Sequence, residues 1–314
     1  MNSILIIRPS AMGDIVMASP MIGALRKRYP SAYIAWLVEP PYVDILLHNA
    51  CLNDILVWNK KEWTDLFKKK RFFSLGRKIS EFSRQLRKRR FDLAIDAQGL
   101  LRSRLLARIS GAKERVGFES KEPGRFLMTK VIQRGSNSGL MGSEYMHMMK
   151  ALGLVVEEFH PEICLLNEDK TSMREMLKHQ GIERYVVFAP FTTRPQKHWI
   201  PDRWAELAQR IMADLRLTVV LLGGKADMEN AAFMNEITKG HIFNLAGQTT
   251  LGQSAAIIKG ALLLIGVDTG LTHMGAAFDT PTIALFGATC PYVYSSGQKT
   301  SVIYNRMICS PCRR

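Results

Sequence analysis

The chain has 314 residues, of which 47% are apolar, with five cysteines and a formal net charge of +15. This length and apolar content exclude a disordered chain and fit about two domains of roughly 150 residues each. Five scattered cysteines exclude a secreted disulfide framework, and no apolar run approaches the ~18 residues of a membrane-spanning helix, so a cytoplasmic protein is expected.

In chain order, Ile4, Leu5, Ile6 and Ile7 form an apolar run short enough for a buried parallel strand. A turn from Pro9 to Gly13 leads into an apolar-periodic stretch that predicts one helix over 15–25. Strands are then expected over 33–38, 55–57, 93–95 and 115–118, and helices over 74–88, 100–109 and 144–152. After an irregular acidic stretch near 155–162 the alternation resumes. Helices are predicted over 170–180, 203–214, 228–239, 253–260 and 272–277, and strands over 185–188, 218–222, 242–245, 262–267 and 282–286. Regular alternation of this kind is the pattern of an α/β chain with doubly wound parallel sheets. Two Rossmann-like domains are expected, residues 1–160 and 161–314, with the carboxyl ends of both sheets facing a central cleft.

Charge is unevenly divided. Residues 1–150 hold 27 Lys/Arg against 13 Asp/Glu, whereas residues 151–314 hold 16 against 15. Residues 60–90 alone contain 13 basic and three acidic side chains, with Trp63, Phe67, Phe72, Phe73, Leu75 and Phe82 among them. Such a segment attracts an anionic partner: a phosphorylated glycolipid, a membrane leaflet or nucleic acid. No nucleic-acid module accompanies it, and helical spacing explains Phe67, Phe72 and Phe82 as core or membrane-facing residues, so nucleic acid is not expected.

Chemistry is expected where strands end. The loop RPSAMGD after the first strand puts Gly13 and Asp14 at a helix start, where Asp14 suits either a cap or a general base. That loop lacks the GxGxxG spacing of a dinucleotide site. In TTRPQKHW, Thr192 and Thr193 precede Lys197, a set able to hold a diphosphate and neutralise a departing phosphate. GGKADMEN offers Asp227 and Glu229 to ribose hydroxyls. In VDTGLTH, Asp268, Thr269, Gly270 and His273 sit at a strand-to-helix junction whose N–H groups and dipole favour phosphate. Neither Asp-x-Asp nor HExxH occurs, and Cys309 and Cys312 have no second pair, so no metal and no cofactor are expected.

Together, RPSAMGD, IDAQGL, TTRPQKHW and VDTGLTH, in order over nearly the whole chain, resemble glycosyltransferase family 9. The resemblance implies a GT-B fold, with the acceptor held mainly by the first domain and the nucleotide sugar by the second. It implies inverting transfer of L-glycero-D-manno-heptose from ADP-heptose to the first Kdo of Kdo-lipid A, or to another core sugar, at the cytoplasmic face of the inner membrane. By position in the motifs, Asp14 is expected to be the base and Lys197 to stabilise the leaving ADP. Donor contacts are expected from Thr192, Thr193, Lys197, Glu229, Asp268, Thr269, Gly270 and His273, and acceptor contacts from Gly13, Gln98 and Arg71. Relatives also imply a C-terminal helix packing back toward the first domain, whereas this sequence ends at Arg314 without one.

Overall fold

The computed structural model of the chain describes residues 1–135 and 138–312. They form two compact units: residues 1–135 with Gly142–Phe159, and Ser138–Met141 with His160 onward. Each is built on one six-stranded, wholly parallel sheet.

The first unit runs β1 (Ser3–Ile7), α1 (Met12–Ala18), α2 (Pro20–Arg28), β2 (Tyr33–Val38), α3 (Val43–Leu46), β3 (Asp54–Val57), α4 (Lys60–Lys68), α5 (Phe72–Arg87), β4 (Leu93–Asp96), α6 (Leu101–Ile109), β5 (Glu114–Phe118), β6 (Lys130–Ile132) and α7 (Ser143–Ala151). The second runs α8 (Asn167–His179), β7 (Tyr185–Ala189), α9 (Pro201–Leu215), β8 (Thr218–Leu221), α10 (Met228–Ile237), β9 (Phe243–Asn244), α11 (Leu251–Gly260), β10 (Leu263–Val267), α12 (Gly270–Ala277), β11 (Thr282–Phe286) and β12 (Thr300–Tyr304).

Strand order is β3-β2-β1-β4-β5-β6 in one sheet and β9-β8-β7-β10-β11-β12, read in the same direction, in the other. Both follow the 3-2-1-4-5-6 order of the doubly wound fold, so the expected α/β class is the observed one. Helices on both faces explain why β1 and β7 are buried at every position and why their sequences are apolar without alternation. In the first unit Leu5, Ile7, Leu37, Leu56, Trp58, Leu86 and Phe91 pack into one core. In the second the core gathers Val186, Phe188, Trp204, Ile211, Leu221, Met234 and Val267.

The single helix expected over 15–25 is two. Pro20 has no N–H to give the preceding turn, so the chain breaks at Ser19 and restarts with Pro20 as the first residue of α2. Four elements escaped the sequence reading: α3, α4, β6 and β12, of which α3 is only four residues long. α4 is a highly charged nonapeptide, β6 is only three residues long, and β12 follows an irregular stretch and is at most half-buried.

Doubly wound sheets bind ligands where neighbouring connections leave in opposite directions. That point lies between β1 and β4 in the first unit and between β7 and β10 in the second. The loops that end these four strands carry most of the residues singled out from the sequence.

Candidate functional site

In the first unit, the loop after β1 folds into α1 with Asp14 in its first turn. The Asp14 carboxylate accepts from the Ala11 N–H at 3.3 Å, which satisfies one donor that a helix start leaves open. The same oxygen meets the Arg8 guanidinium at 2.5 Å. Asp14 is therefore both a helix-start acceptor and one half of an ion pair. Its side chain is 36% exposed, so solvent or a ligand can reach it, whereas that of Arg8 is 9% exposed.

Arg8 directly follows β1 and is held from three sides. It donates to the Ala97 carbonyl at 3.1 Å, pairs with Asp14, and lies 5.8 Å from the centre of the Tyr145 ring. Burial opposes the guanidinium's charge, but Tyr145, Asp14 and Glu144 outweigh it, and the proton is held more tightly than in water. Burial also drives the Tyr145 hydroxyl well above its ordinary range, against the pull of Arg8, so it remains a phenol.

The adjoining loop after β4 is shaped by Asp96. This fully buried carboxylate accepts from the Gln98 and Gly99 N–H groups, each at 3.0 Å. Burial pushes its pKa up, only partly offset by those bonds, by the Ser103 hydroxyl and by Arg8. The Gln98 amide reaches across to the Ser10 carbonyl at 3.3 Å, which joins the two loops. Arg134 donates to the Gln98 carbonyl at 3.1 Å and pairs with Glu144. Arg8 Nε, Asp96 Oδ2 and Gln98 Oε1 are buried with no partner among the described residues. Three such atoms around one strand pair depart from the usual satisfaction of buried polar groups, as binding sites do.

In the second unit, Asp268 directly follows β10 and is the hub. Its Oδ2 meets the Lys197 ammonium at 2.6 Å and accepts from the Thr289 hydroxyl, and its Oδ1 meets His273 Nε2 at 3.1 Å. Thr192 Oγ1 donates to the Asp268 carbonyl at 3.3 Å. Burial alone would raise the pKa of this carboxyl, but His273, Lys197 and Thr289 together hold it well below the usual range. A carboxylate can only accept, so His273 Nε2 donates to Asp268, while its Nδ1 lies 2.9 Å from the Tyr292 hydroxyl. Burial, with the nearby Asp268 charge, pushes the Tyr292 pKa far up, which keeps that hydroxyl a donor.

Gly266 makes this junction possible. A Cβ there would stand 2.2 Å from Thr272 Oγ1 and 3.0 Å from Ala189 Cβ, so only glycine lets α12 come down on β10 and Thr272 bond the Val267 carbonyl at 2.6 Å. Thr269 is the N-cap of α12 and Gly270 its first residue. The first N–H groups of that helix, ahead of the His273 N–H to Thr269 carbonyl bond, have no partner within it.

The structure thus brings Gly13, Asp14 and Gln98 to one pair of loops, and Thr192, Lys197, Asp268, Thr269, Gly270 and His273 to another. Thr193 is exposed on the same loop as Thr192. Both His273 ring nitrogens are engaged and the residue is buried, so it acts on the site by holding Asp268. Glu229 is exposed in the first turn of α10, while its neighbour Asp227 is used in accepting the Gly224 N–H at 2.8 Å. Arg71 lies exposed at the start of α5, and no hydrogen bond or ion pair joins it to the Asp14 group among the described residues.

Sequence reasoning missed Arg8, Asp96, Tyr145, Thr289 and Tyr292. Arg8 and Asp96 stand inside motifs already quoted, where a charged residue ending an apolar strand was the available signal. Thr289 and Tyr292 lie in an irregular stretch after β11 that carried none. Among the described residues no group of three or more His, Cys, Asp or Glu could hold a metal ion, and no helix is long and apolar enough to cross a membrane.

The family described as Glycosyltransferase family 9 (heptosyltransferase) matches residues 79–314. Lipopolysaccharide heptosyltransferase 1 of Pseudomonas aeruginosa is 27% identical, over 98% of this chain and 85% of that protein. The Escherichia coli K12 protein of the same name is 25% identical over 98% of this chain and 92% of its own, and lipopolysaccharide heptosyltransferase 2 of that strain is 24% identical over 92% and 83%. Among solved structures, a family 9 glycosyl transferase from Veillonella parvula superposes with a TM-score of 0.83 at 20% identity, covering 97% of this chain and 86% of that one. The E. coli heptosyltransferase WaaC with ADP superposes with a TM-score of 0.76 at 24% identity, covering 96% and 93%.

Proposed function

The chain belongs to glycosyltransferase family 9 (heptosyltransferase), and from that membership we propose that it is a heptosyltransferase I. In this reading it moves L-glycero-D-manno-heptose from ADP-heptose to the first Kdo of Kdo-lipid A, with inversion and without a metal, at the cytoplasmic face of the inner membrane. The observation that carries the reading is the pairing of chemistry with topology. A reachable carboxylate stands at the switch point of one sheet, and an ammonium beside an open helix start stands at that of the other.

Asp14 accepts the proton of the acceptor hydroxyl as its oxygen attacks the anomeric carbon. The bond from that carbon to the ADP oxygen breaks, and ADP leaves with the electron pair. Lys197 neutralises the charge that develops on the departing diphosphate. One of its three N–H bonds goes to Asp268, and two remain for phosphate oxygens. Thr192, Thr193 and the N–H groups of Thr269 and Gly270 complete the phosphate site. His273 serves it through Asp268, and Glu229 accepts from the ribose hydroxyls. Gly13, Gln98 and Arg71 contact the acceptor, and the unpaired Gln98 Oε1 is an acceptor atom ready for a sugar hydroxyl.

Relatives named heptosyltransferase 1 that align over almost the whole chain support this assignment. Those named 2 and 3 align at similar identity, so the acceptor is the point to test. Purified protein given ADP-heptose and Kdo-lipid A is expected to release ADP, and a folded protein that releases none removes the proposal. Preference for heptosyl-Kdo-lipid A in the same assay would reassign it to heptosyltransferase II.

A further inference from the structure

The corner between α4 and α5 displays three exposed phenyl rings among cations that have no acidic partner among the described residues. Every residue from Phe67 to Phe73 is exposed, in the order ring, four cations, two rings. Phe67 and Phe72 meet edge to face at 5.8 Å, and Phe73 is 90% exposed. Aromatic side chains ordinarily contribute their large apolar area to a core or an interface, and a cluster of them in water marks an interaction surface.

The corner is built rather than loose. The Lys70 N–H bonds the Phe67 carbonyl at 3.0 Å and the Arg71 N–H bonds the Leu66 carbonyl at 2.9 Å, which closes the end of α4. Lys70 takes the left-handed conformation there, φ 55°. Behind the corner, Trp58, Trp63 and Phe82 stack edge to face at 5.7 Å steps and tie both helices to the core.

Cations surround the rings. Lys60, Arg77, Lys78 and Arg89 are paired with Glu39, Glu81, Glu62 and Asp54. Lys61, Lys68, Lys69, Lys70 and Arg71 have no acidic partner among the described residues. Exposed rings set beside cations that have no acidic partner among the described residues fit a surface that is anionic outside and apolar beneath. A nucleic acid is gripped by rings spaced to take successive bases, whereas Phe67 and Phe72 here stack on each other edge to face.

We propose that this corner docks the protein on an anionic bilayer, with Phe72 and Phe73 at the boundary between headgroups and acyl chains and Lys68, Lys69, Lys70 and Arg71 among the lipid phosphates. The purpose of the contact rests on the reading of a lipid-linked acceptor, but its test does not. The full-length protein is floated with vesicles of phosphatidylethanolamine and phosphatidylglycerol, without acceptor, against phosphatidylcholine vesicles. Binding is expected to the anionic vesicles only, and to weaken as salt rises from about 0.1 M to about 1 M and screening shortens. Lys68→Gln, Lys69→Gln and Lys70→Gln together should lower partitioning roughly hundredfold, at about fivefold per basic residue. Phe72→Ser with Phe73→Ser, which leaves the charge unchanged, should lower it about tenfold or more. These side chains are exposed, so both variants should keep the wild-type melting temperature. As a second readout, the emission of Phe73→Trp should shift to the blue and be quenched by brominated lipid. Equal binding to phosphatidylcholine, undiminished binding by the Phe double variant, or RNA outcompeting the vesicles would overturn the proposal. Docking retained by a protein that releases no ADP would uphold it while removing the transfer reading.

Discussion

The two switch points share one topology and carry opposite electrostatics. Between β7 and β10, Asp268 is buried but surrounded by Lys197, His273 and Thr289, and its charge is fully answered. Between β1 and β4, among the described residues, Asp96 is buried with one oxygen unpaired, while Asp14 keeps a single cation, Arg8, and an open side. A doubly wound sheet dictates where loops converge and leaves the side chains free to make one convergence a closed grip and the other an open, reactive edge. A closed network suits holding a diphosphate, and an open carboxylate suits taking a proton.

The largest test of that contrast is Asp14→Ala, expected to lower turnover by roughly 10²–10⁴ with the ADP-heptose KM little changed. Near-normal turnover in the ADP-release assay would leave Asp14 only its role at the start of α1. Lys197→Ala should cost about 10²–10³ in kcat and also destabilise the fold, because it strips a buried carboxylate of its cation. A loss confined to KM would mean that Lys197 binds the donor without easing departure of ADP.

Arg8→Met should lower kcat about tenfold by freeing Asp14, and Arg8→Lys should not restore it, since one ammonium cannot serve the Ala97 carbonyl and Asp14 in the same fixed fork. Full rescue by lysine would show that charge alone matters there. Smallest in effect, the two buried carboxyls should give opposite pH signatures in thermal melts. The folded-state pKa of Asp268 lies below its unfolded value, so its contribution is present above about pH 4 and is lost on acidification. That of Asp96 lies above its unfolded value, so its contribution is greatest below about pH 4 and declines as pH rises. Asp96→Asn, which keeps an oxygen for the Gln98 and Gly99 N–H groups, should therefore gain relative to wild type with rising pH, and Asp268→Asn should lose. Parallel behaviour of the two variants would erase the distinction between the sites.

Most strands were legible because a strand buried on both faces must be apolar throughout, as at residues 4–7 and 185–189. The short elements were not. Three residues in β6 hold too little pattern, and the charges of α4 hide the inward face formed by Trp63 and Leu66. At the site, Asp14, Lys197 and Asp268 could be read from type and position, because acids and amines at strand ends are scarce and suited to phosphate or proton chemistry. Their partners could not: Thr289 lies 21 residues from Asp268 and Tyr145 lies 137 from Arg8, separations over which local pattern carries no information.

By itself the sequence determined the α/β class, the positions of most strands, the basic bias of the first half and the residue types at the strand ends, since these follow from local periodicity and composition. Only tertiary structure decided that Pro20 divides a helix, that Asp268 rather than Lys197 is the hub, that Arg8 holds Asp14, and that Phe82 turns inward while Phe72 and Phe73 face outward. Each of those outcomes depends on which distant groups come within hydrogen-bonding or van der Waals reach, and that is settled when the sheets assemble.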